Sequence, residues 1–140
     1  MIRKFKVVLV EDNQPTVQEF QELFAKLPSF EIIGVADGAT NALEIIKNDL
    51  PSVVIVDISL REGDGIELVE NIISGEHLPF EPCIVVITAI QKEEIREKLY
   101  KIGVDYIFGK EEVNFSAGLI AEFLIEIQED LPRAQSSDDA

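Results

Sequence analysis

The chain has 140 residues, which is enough for one domain with its own hydrophobic core and short for two. Its 27 acidic and 12 basic residues give a net charge of -15, which argues against direct binding to DNA or RNA, because affinity for phosphates comes largely from lysine and arginine. No apolar stretch approaches the roughly 20 residues of a membrane span, and the amino terminus lacks the features of a signal peptide. We therefore expect a cytoplasmic domain, with no membrane contact, whose partners are proteins or cations.

Five short apolar segments predict β-strands, because each is rich in β-branched or aromatic residues and is bounded by Gly, Pro, Asp or Asn. In chain order they are Lys6–Val10, Glu31–Ala36, Val53–Val56, Ile84–Thr88 and Asp105–Phe108. Two of them contain unbroken apolar runs, Val7–Val10 and Val53–Val56. Such runs are typical of strands that are buried on both faces of a parallel sheet.

The segments between these strands have the apolar spacing of helices. The first opens at Asn13, with Pro15 in its first turn, and stops near Pro28. The others cover roughly Ala39–Asp49, Gly65–Ser74, Lys92–Ile102 and Phe115–Glu129. Strands that alternate with helices of this length predict right-handed crossovers and a parallel sheet covered on both faces, which is a single doubly wound α/β domain.

The composition changes beyond Asp130. The remaining residues are polar and nearly devoid of apolar side chains, so they offer too little apolar surface to offset the entropy of ordering. We assign residues 3–129 to one folded domain. Residues 130–140 are predicted to form a disordered tail, or a linker to something outside the chain.

Three acidic residues stand where a doubly wound sheet would bring them together. Glu11 and Asp12 end the first strand, and Asp57 ends the third. In an open parallel sheet, ligands bind outside the carboxyl ends of the strands, where the strand order reverses. If the first and third strands flank that reversal, three carboxylates share one crevice. They would repel each other there, and a hard divalent cation with oxygen ligands would relieve the repulsion.

Two other interpretations of the acidic loop can be weighed. An acid such as Asp12 could cap the helix that follows and complement its dipole. Alternatively, the loop could hold the phosphate of a nucleotide or flavin. Phosphate binding at this position needs a glycine-rich or hydroxyl-rich turn, whereas the loop reads Glu11-Asp12-Asn13-Gln14-Pro15. Adjacent carboxylates would repel a phosphate group unless a cation intervened, which argues against a phosphate-bearing cofactor.

Over about residues 3 to 128, the chain resembles the receiver domains of bacterial two-component response regulators. The resemblance rests on separated positions that each stand in the expected structural place, namely Glu11-Asp12, Asp57, Thr88, Tyr106 and Lys110. It also rests on two stretches that follow the third strand, Asp57-Ile58-Ser59-Leu60 and Gly63-Asp64-Gly65-Ile66-Glu67-Leu68. The resemblance implies a flavodoxin-like, five-stranded parallel sheet with the order 2-1-3-4-5.

The resemblance also implies a role for each acidic residue. Asp57 would be the phosphoacceptor, a carboxylate nucleophile that forms an aspartyl-phosphate. Glu11 and Asp12 would hold Mg²⁺, directly or through water, together with Asp57 and the backbone carbonyl of Ser59. The metal would offset the charge of the incoming phosphoryl group.

Three further positions follow from the same resemblance. Lys110 would pair with one phosphoryl oxygen, and the hydroxyl of Thr88 would donate to another. Thr88 and Tyr106 would form the switch: Thr88 would move towards the phosphoryl group, and Tyr106 would turn into the space behind it. The fourth helix has only the narrow apolar stripe Ile95, Leu99 and Ile102, so it would shift easily.

The predicted function is a phosphorylation-dependent signalling switch. The phosphoryl group would come from a sensor histidine kinase or a histidine phosphotransfer protein, and the signal would pass to a downstream protein target or a missing output domain. The chain would promote its own phosphorylation and dephosphorylation without being an enzyme for a separate metabolite. One alternative is a receiver-like binding module that ignores phosphate. Another is a small Mg²⁺-dependent phosphatase, although such enzymes have a second Asp where this chain has Ser59.

Overall fold

The computed structural model describes residues 4–59, 65–74, 78, 81–89, 92–110 and 116–132. These residues form five strands: β1 (Phe5–Val10), β2 (Phe30–Ala36), β3 (Val53–Asp57), β4 (Cys83–Thr88) and β5 (Tyr106–Gly109). They also form five α-helices: α1 (Gln14–Phe24), α2 (Ala39–Asp49), α3 (Gly65–Ile73), α4 (Glu93–Ile102) and α5 (Ala117–Ile127). Each predicted strand is confirmed, with its ends shifted by at most one residue.

The five strands form one parallel sheet with the order β2-β1-β3-β4-β5, so the predicted doubly wound α/β fold is confirmed. The direction of strand addition reverses between β1 and β3, which are neighbours in the sheet. Their register pairs Val10 with Val56. Glu11 and Asp57, which follow these two positions, therefore lie side by side at the carboxyl edge of the sheet.

The pleat of the sheet divides the core into two layers, because successive side chains of a strand point to opposite faces. One layer joins the sheet to α1 and α5 and includes Phe20 and Leu124. The other joins it to α2, α3 and α4 and includes Ile46, Leu68 and Leu99. Among the helices that the structure describes, none has the length and apolar character needed to cross a membrane. Packing on both faces explains why the central strands are apolar throughout.

Helix α1 begins directly behind the acidic loop. The side chain of Asn13 caps it by accepting hydrogen bonds from the backbone N–H of Thr16 at 3.0 Å and from the Thr16 hydroxyl at 2.9 Å. Pro15 lies in the first turn, where a missing N–H costs nothing. The Asn13 side chain, rather than either acid of the loop, therefore caps this helix.

The chain continues to pack beyond the predicted domain boundary at residue 129. A short 3-10 turn covers Gln128–Asp130, and Leu131 is buried against the layer that contains α1 and α5. An isolated leucine in a polar segment is enough to anchor the chain, because burying its side chain contributes roughly 1.5–3 kcal/mol to stability. The predicted disorder of the remaining tail concerns residues 133–140, which lie outside the described residues.

We expect Leu131→Ala to lower the free energy of unfolding by about 2–4 kcal/mol, because the substitution removes a buried leucine side chain. Ile125→Ala is the matched control, since Ile125 lies on the same part of the chain but is 41% exposed. The control should cost at most about 1 kcal/mol. Urea denaturation of the two variants measures the difference, and equal losses would show that Leu131 does not anchor the chain.

Candidate functional site

Two neighbouring strand ends supply the three acids. Glu11 and Asp12 follow β1, and Asp57 is the last residue of β3. Each side chain offers one carboxylate oxygen, and these oxygens all lie within 4.8 Å of one another. Glu11 is fully buried, Asp57 is only 3% exposed, and Asp12 is partly exposed at the mouth of the cluster. The convergence that the sequence predicts is therefore present.

Lys110 supplies the positive charge that this cluster needs. Its Nζ lies 2.6 Å from Oε1 of Glu11 and 2.9 Å from Oδ2 of Asp57. The lysine follows β5, and its backbone N–H donates to the carbonyl of Thr88 at 2.7 Å. This backbone contact fixes the start of the Lys110 side chain, so the ammonium group bridges two buried carboxylates and lowers their mutual repulsion.

The other carboxylate oxygens of Glu11 and Asp57 accept hydrogen bonds from backbone N–H groups. Oε2 of Glu11 accepts from the N–H of Asp12 at 3.1 Å and from that of Asn13 at 3.3 Å. Oδ1 of Asp57 accepts from the N–H of Ser59 at 2.8 Å. Each of these two carboxylates is thus oriented by the backbone as well as by Lys110.

The burial of the cluster changes its proton affinities. Burial and the neighbouring Asp57 carboxylate raise the pKa of Glu11 to about 7, although Lys110 acts in the opposite direction. Burial alone would lower the pKa of Lys110, but its hydrogen bonds and attraction to Glu11 and Asp57 outweigh burial and raise that pKa. Lys110 therefore stays charged at neutral pH, while Glu11 exchanges a proton close to neutrality.

Thr88 closes β4 at the same edge of the sheet and is 1% exposed. It pairs in register with Gly109, the residue before Lys110. The structure thus brings Thr88 and Lys110 onto neighbouring strand ends, as the sequence predicts. Ser59 lies just beyond Asp57, as expected, and its backbone N–H contacts the Asp57 carboxylate.

The register of β4 and β5 decides which side chains share a face with Thr88. Val85 pairs with Tyr106, and Val86 pairs with Ile107. Thr88 is two residues beyond Val86, so Thr88, Val86 and Ile107 point to one face of the sheet and Tyr106 points to the other.

The packing agrees with this register. The ring of Tyr106 contacts that of Phe123 in α5 edge to face, with centroids 4.2 Å apart, whereas Ile107 packs in the layer of α4 with Leu99. In this structure the sheet lies between Thr88 and Tyr106, and the coupling predicted between them stays a prediction. Ile107, two residues before Gly109, is the β5 side chain on the face of Thr88.

A comparison with known protein families settles the relationship of the chain. The model of the response regulator receiver domain matches residues 7–116. The chain belongs to this family. The match includes β2 to β5, β1 from Val7 onwards, and the positions of the acids, Thr88 and Lys110.

Individual relatives of this receiver are distant in sequence and close in structure. The receiver is 24% identical over 119 residues to a protein-glutamate methylesterase/protein-glutamine glutaminase of Thiobacillus denitrificans, covering 84% of this chain and 32% of that protein. The chain thus spans about a third of the length of this curated relative. Among solved structures, it is similar to the signal receiver domain of the putative response regulator NarL from Mycobacterium tuberculosis. That pair has 23% identity and a TM-score of 0.77, with 91% and 98% of the two chains covered.

A second solved structure, the Mn²⁺-bound form of response regulator Rcp1, has 18% identity and a TM-score of 0.78. The superposition covers 94% of this chain and 99% of Rcp1. At these identities the two structures support the fold, and the chemistry of the site has to be argued from this chain's own residues.

We expect the affinity of the receiver for Mg²⁺ to fall by about tenfold between pH 8 and pH 6. Glu11 has a pKa of about 7, so it carries a proton below that value, and a proton there opposes a cation at the cluster. Titration calorimetry across this pH range measures the effect. Glu11→Gln should bind Mg²⁺ more weakly at pH 8 but with little dependence on pH, whereas Asp12→Asn should lose affinity and keep the dependence. The same pH dependence in Glu11→Gln would contradict the assignment.

Proposed function

We propose that this receiver accepts a phosphoryl group on Asp57 from a phosphohistidine and signals through the resulting change in shape. The donor would be a sensor histidine kinase or a histidine phosphotransfer protein. A carboxylate oxygen of Asp57 attacks phosphorus, the phosphorus–nitrogen bond to histidine breaks, and an aspartyl-phosphate forms. The observation that carries the proposal is a nearly buried Asp57 at a strand end, with two further carboxylates within 4.8 Å and a lysine at 2.9 Å.

The surroundings of Asp57 suit this chemistry. One of its oxygens is held by the Ser59 N–H and the other by Lys110, so the carboxylate presents a fixed direction to the donor. When the phosphoryl group arrives, Lys110 and the Thr88 hydroxyl are the groups that would contact its oxygens. Lys110 remains charged, as its raised pKa requires, and it would offset negative charge that accumulates during transfer.

The acidic cluster fits a hard divalent cation, because carboxylate oxygens are the ligands that Mg²⁺ prefers. We assign Asp12, Asp57 and the backbone carbonyl of Ser59 to direct contacts. Glu11 accepts hydrogen bonds at both of its oxygens, which favours a contact through water. Bound Mg²⁺ would supply positive charge to the transferring phosphoryl group. The Mn²⁺-bound relative supports a divalent cation in a protein of this fold.

The signal would pass from Asp57 along the face of the sheet on which the Thr88 side chain lies. This face is covered by α4, in which Leu99 is the single buried residue of the ten that form the helix. A helix with so small a buried face is weakly held and shifts at low cost. Movement of Thr88 would reach α4 through Ile107 and Leu99, and α4 with its neighbours would form the surface for a protein target or an output domain.

The chain is proposed to modify itself and not to act on a separate substrate. The methylesterase and glutaminase named for the curated relative belong to a protein about three times as long, so that activity is not assigned to this chain. A similar solved structure is described as a DNA-binding response regulator. The expected lack of nucleic-acid contact therefore concerns this chain alone and remains a prediction, as does its location in the cytoplasm.

We expect Asp57 to be the residue that takes up phosphate. The chain is incubated with acetyl phosphate and Mg²⁺, and intact mass is measured over time for the unaltered protein and for Asp57→Asn. The unaltered chain should gain the mass of one phosphoryl group, and the variant should gain none. Asp12→Asn is the matched control: it keeps Asp57 and should react more slowly without losing the reaction. Equal phosphate uptake by the unaltered chain and by Asp57→Asn would contradict the assignment of Asp57 as the phosphorylated residue.

A further inference from the structure

A hydrogen bond outside the acidic cluster joins α1 to the first residue of α5. The carboxylate of Glu19, in the second turn of α1, accepts a hydrogen bond from the backbone N–H of Ala117 at 2.7 Å. Ala117 is the first residue of α5, and 98 positions separate the two residues in the chain. A carboxylate at this position also faces the positive end of the α5 dipole.

Glu19 adds to a cap that α5 already has. The hydroxyl of Ser116 accepts from the N–H of Leu119 at 3.1 Å, which is an ordinary local cap at the same helix end. The two caps differ in what they connect. Ser116 belongs to α5 itself, whereas Glu19 belongs to α1, so only the Glu19 contact fixes one helix relative to the other.

The start of α1 adjoins the acidic loop, and α5 follows Lys110 in the chain. The Asn13 cap and the hydrogen bonds from Asp12 and Asn13 to Glu11 join the start of α1 to the acidic loop. At the other side, Lys110 is anchored to Thr88 at the start of the connection that leads to α5. Residues 111–115 of that connection lie outside the described residues.

In the part of the chain that the structure describes, the core residues of α1 and α5 also pack against each other through apolar side chains. Val17 and Phe20 of α1 share a core layer with Ala117, Ile120 and Leu124 of α5. Apolar packing is non-directional and tolerates small sliding movements, whereas a charge-assisted hydrogen bond of 2.7 Å requires one register. Glu19 is thus the directional contact between α1 and the start of α5.

We propose that Glu19 is a positioning residue that sets the placement of Lys110 relative to Glu11 and Asp57 by tying α1 to the first residue of α5. The inference rests on the proposed function, because it assigns Glu19 an effect on phosphoryl transfer through Lys110. Glu19 itself touches none of the reacting groups. Removing the Glu19 carboxylate should therefore slow phosphoryl transfer only while Lys110 is present.

The test compares four substitutions in the full chain. Glu19→Ala should slow phosphorylation by acetyl phosphate and Mg²⁺ about threefold to tenfold, and Glu19→Gln should retain at least half of the rate, because its amide oxygen can still accept from Ala117. Ser116→Ala removes the local cap and should lower the melting temperature while leaving the rate within twofold. Glu19→Ala in a Lys110→Ala background should cause no further loss of rate.

The substitution Gly118→Ala tests whether a loss of rate in Glu19→Ala comes from lost stability or from misplacement of Lys110. A Cβ at Gly118 would meet the Ser116 oxygen at 3.5 Å and Leu23 at 3.9 Å, which is ordinary contact, so the alanine fits and favours the helix. Added to Glu19→Ala, it should restore part of the melting temperature and none of the lost rate. Recovery of the rate, or an equal loss of rate in Ser116→Ala, would overturn the proposal.

A spectroscopic readout keeps this test distinct from that of the proposed function. If the unaltered chain takes up no phosphate, the proposed function fails, but the placement of Lys110 can still be measured. The NMR signals of the Lys110 side-chain methylene groups should shift in Glu19→Ala and stay in place in Ser116→Ala. Unchanged Lys110 signals in Glu19→Ala would contradict the proposal whatever the outcome of phosphorylation.

Discussion

The ammonium group of Lys110 lies between two buried carboxylates, and the rest of the site depends on that arrangement. Two unit charges about 4 Å apart interact by roughly 4 kcal/mol at an effective dielectric constant of 20. Repulsion among three carboxylates within 4.8 Å is then comparable to the whole stability of a small domain, roughly 5–15 kcal/mol. Such a cluster persists only when cations or protons offset it. Lys110 provides one cation, while burial and the neighbouring Asp57 carboxylate raise the pKa of Glu11 to about 7.

The fold explains why these charges meet. Parallel strands end at one edge, and the reversal of strand order between β1 and β3 leaves a gap there for the acidic loop. β4 and β5 then bring Thr88 and Lys110 to the same edge, joined by a backbone hydrogen bond. The apolar layers on both faces hold the strands at fixed spacing, so the side chains at the edge have little freedom to separate. Three carboxylates face one lysine at this edge, so an additional cation, or a phosphoryl group near Lys110, changes the charge balance of the site.

Much of this arrangement is predictable from the sequence, because the relevant signals are local. Unbroken apolar runs that stop on a carboxylate identify β1, β3 and the position of Asp57, and periodic apolar residues identify the helices. The strand order needed the family resemblance. The register of β4 against β5 was not available from local signals, and a one-residue slip moves every side chain to the other face, which is how Tyr106 was assigned to the face of Thr88. The Glu19–Ala117 contact was also missed, because a glutamate on a helix surface carries no local sign of a partner 98 residues away.

The charge balance of the cluster can be measured directly in Lys110→Met, which keeps much of the side-chain volume and removes the charge. Without metal, this substitution should lower the free energy of unfolding by about 3–5 kcal/mol, as expected when one partner of a buried ion pair is removed. Saturating Mg²⁺ should then stabilise the variant more than it stabilises the unaltered chain, because the metal replaces the missing cation. Urea denaturation of both proteins, with and without Mg²⁺, gives the four values. Equal stabilisation of both by Mg²⁺, with no loss of stability in its absence, would contradict the view that charge balance governs this site.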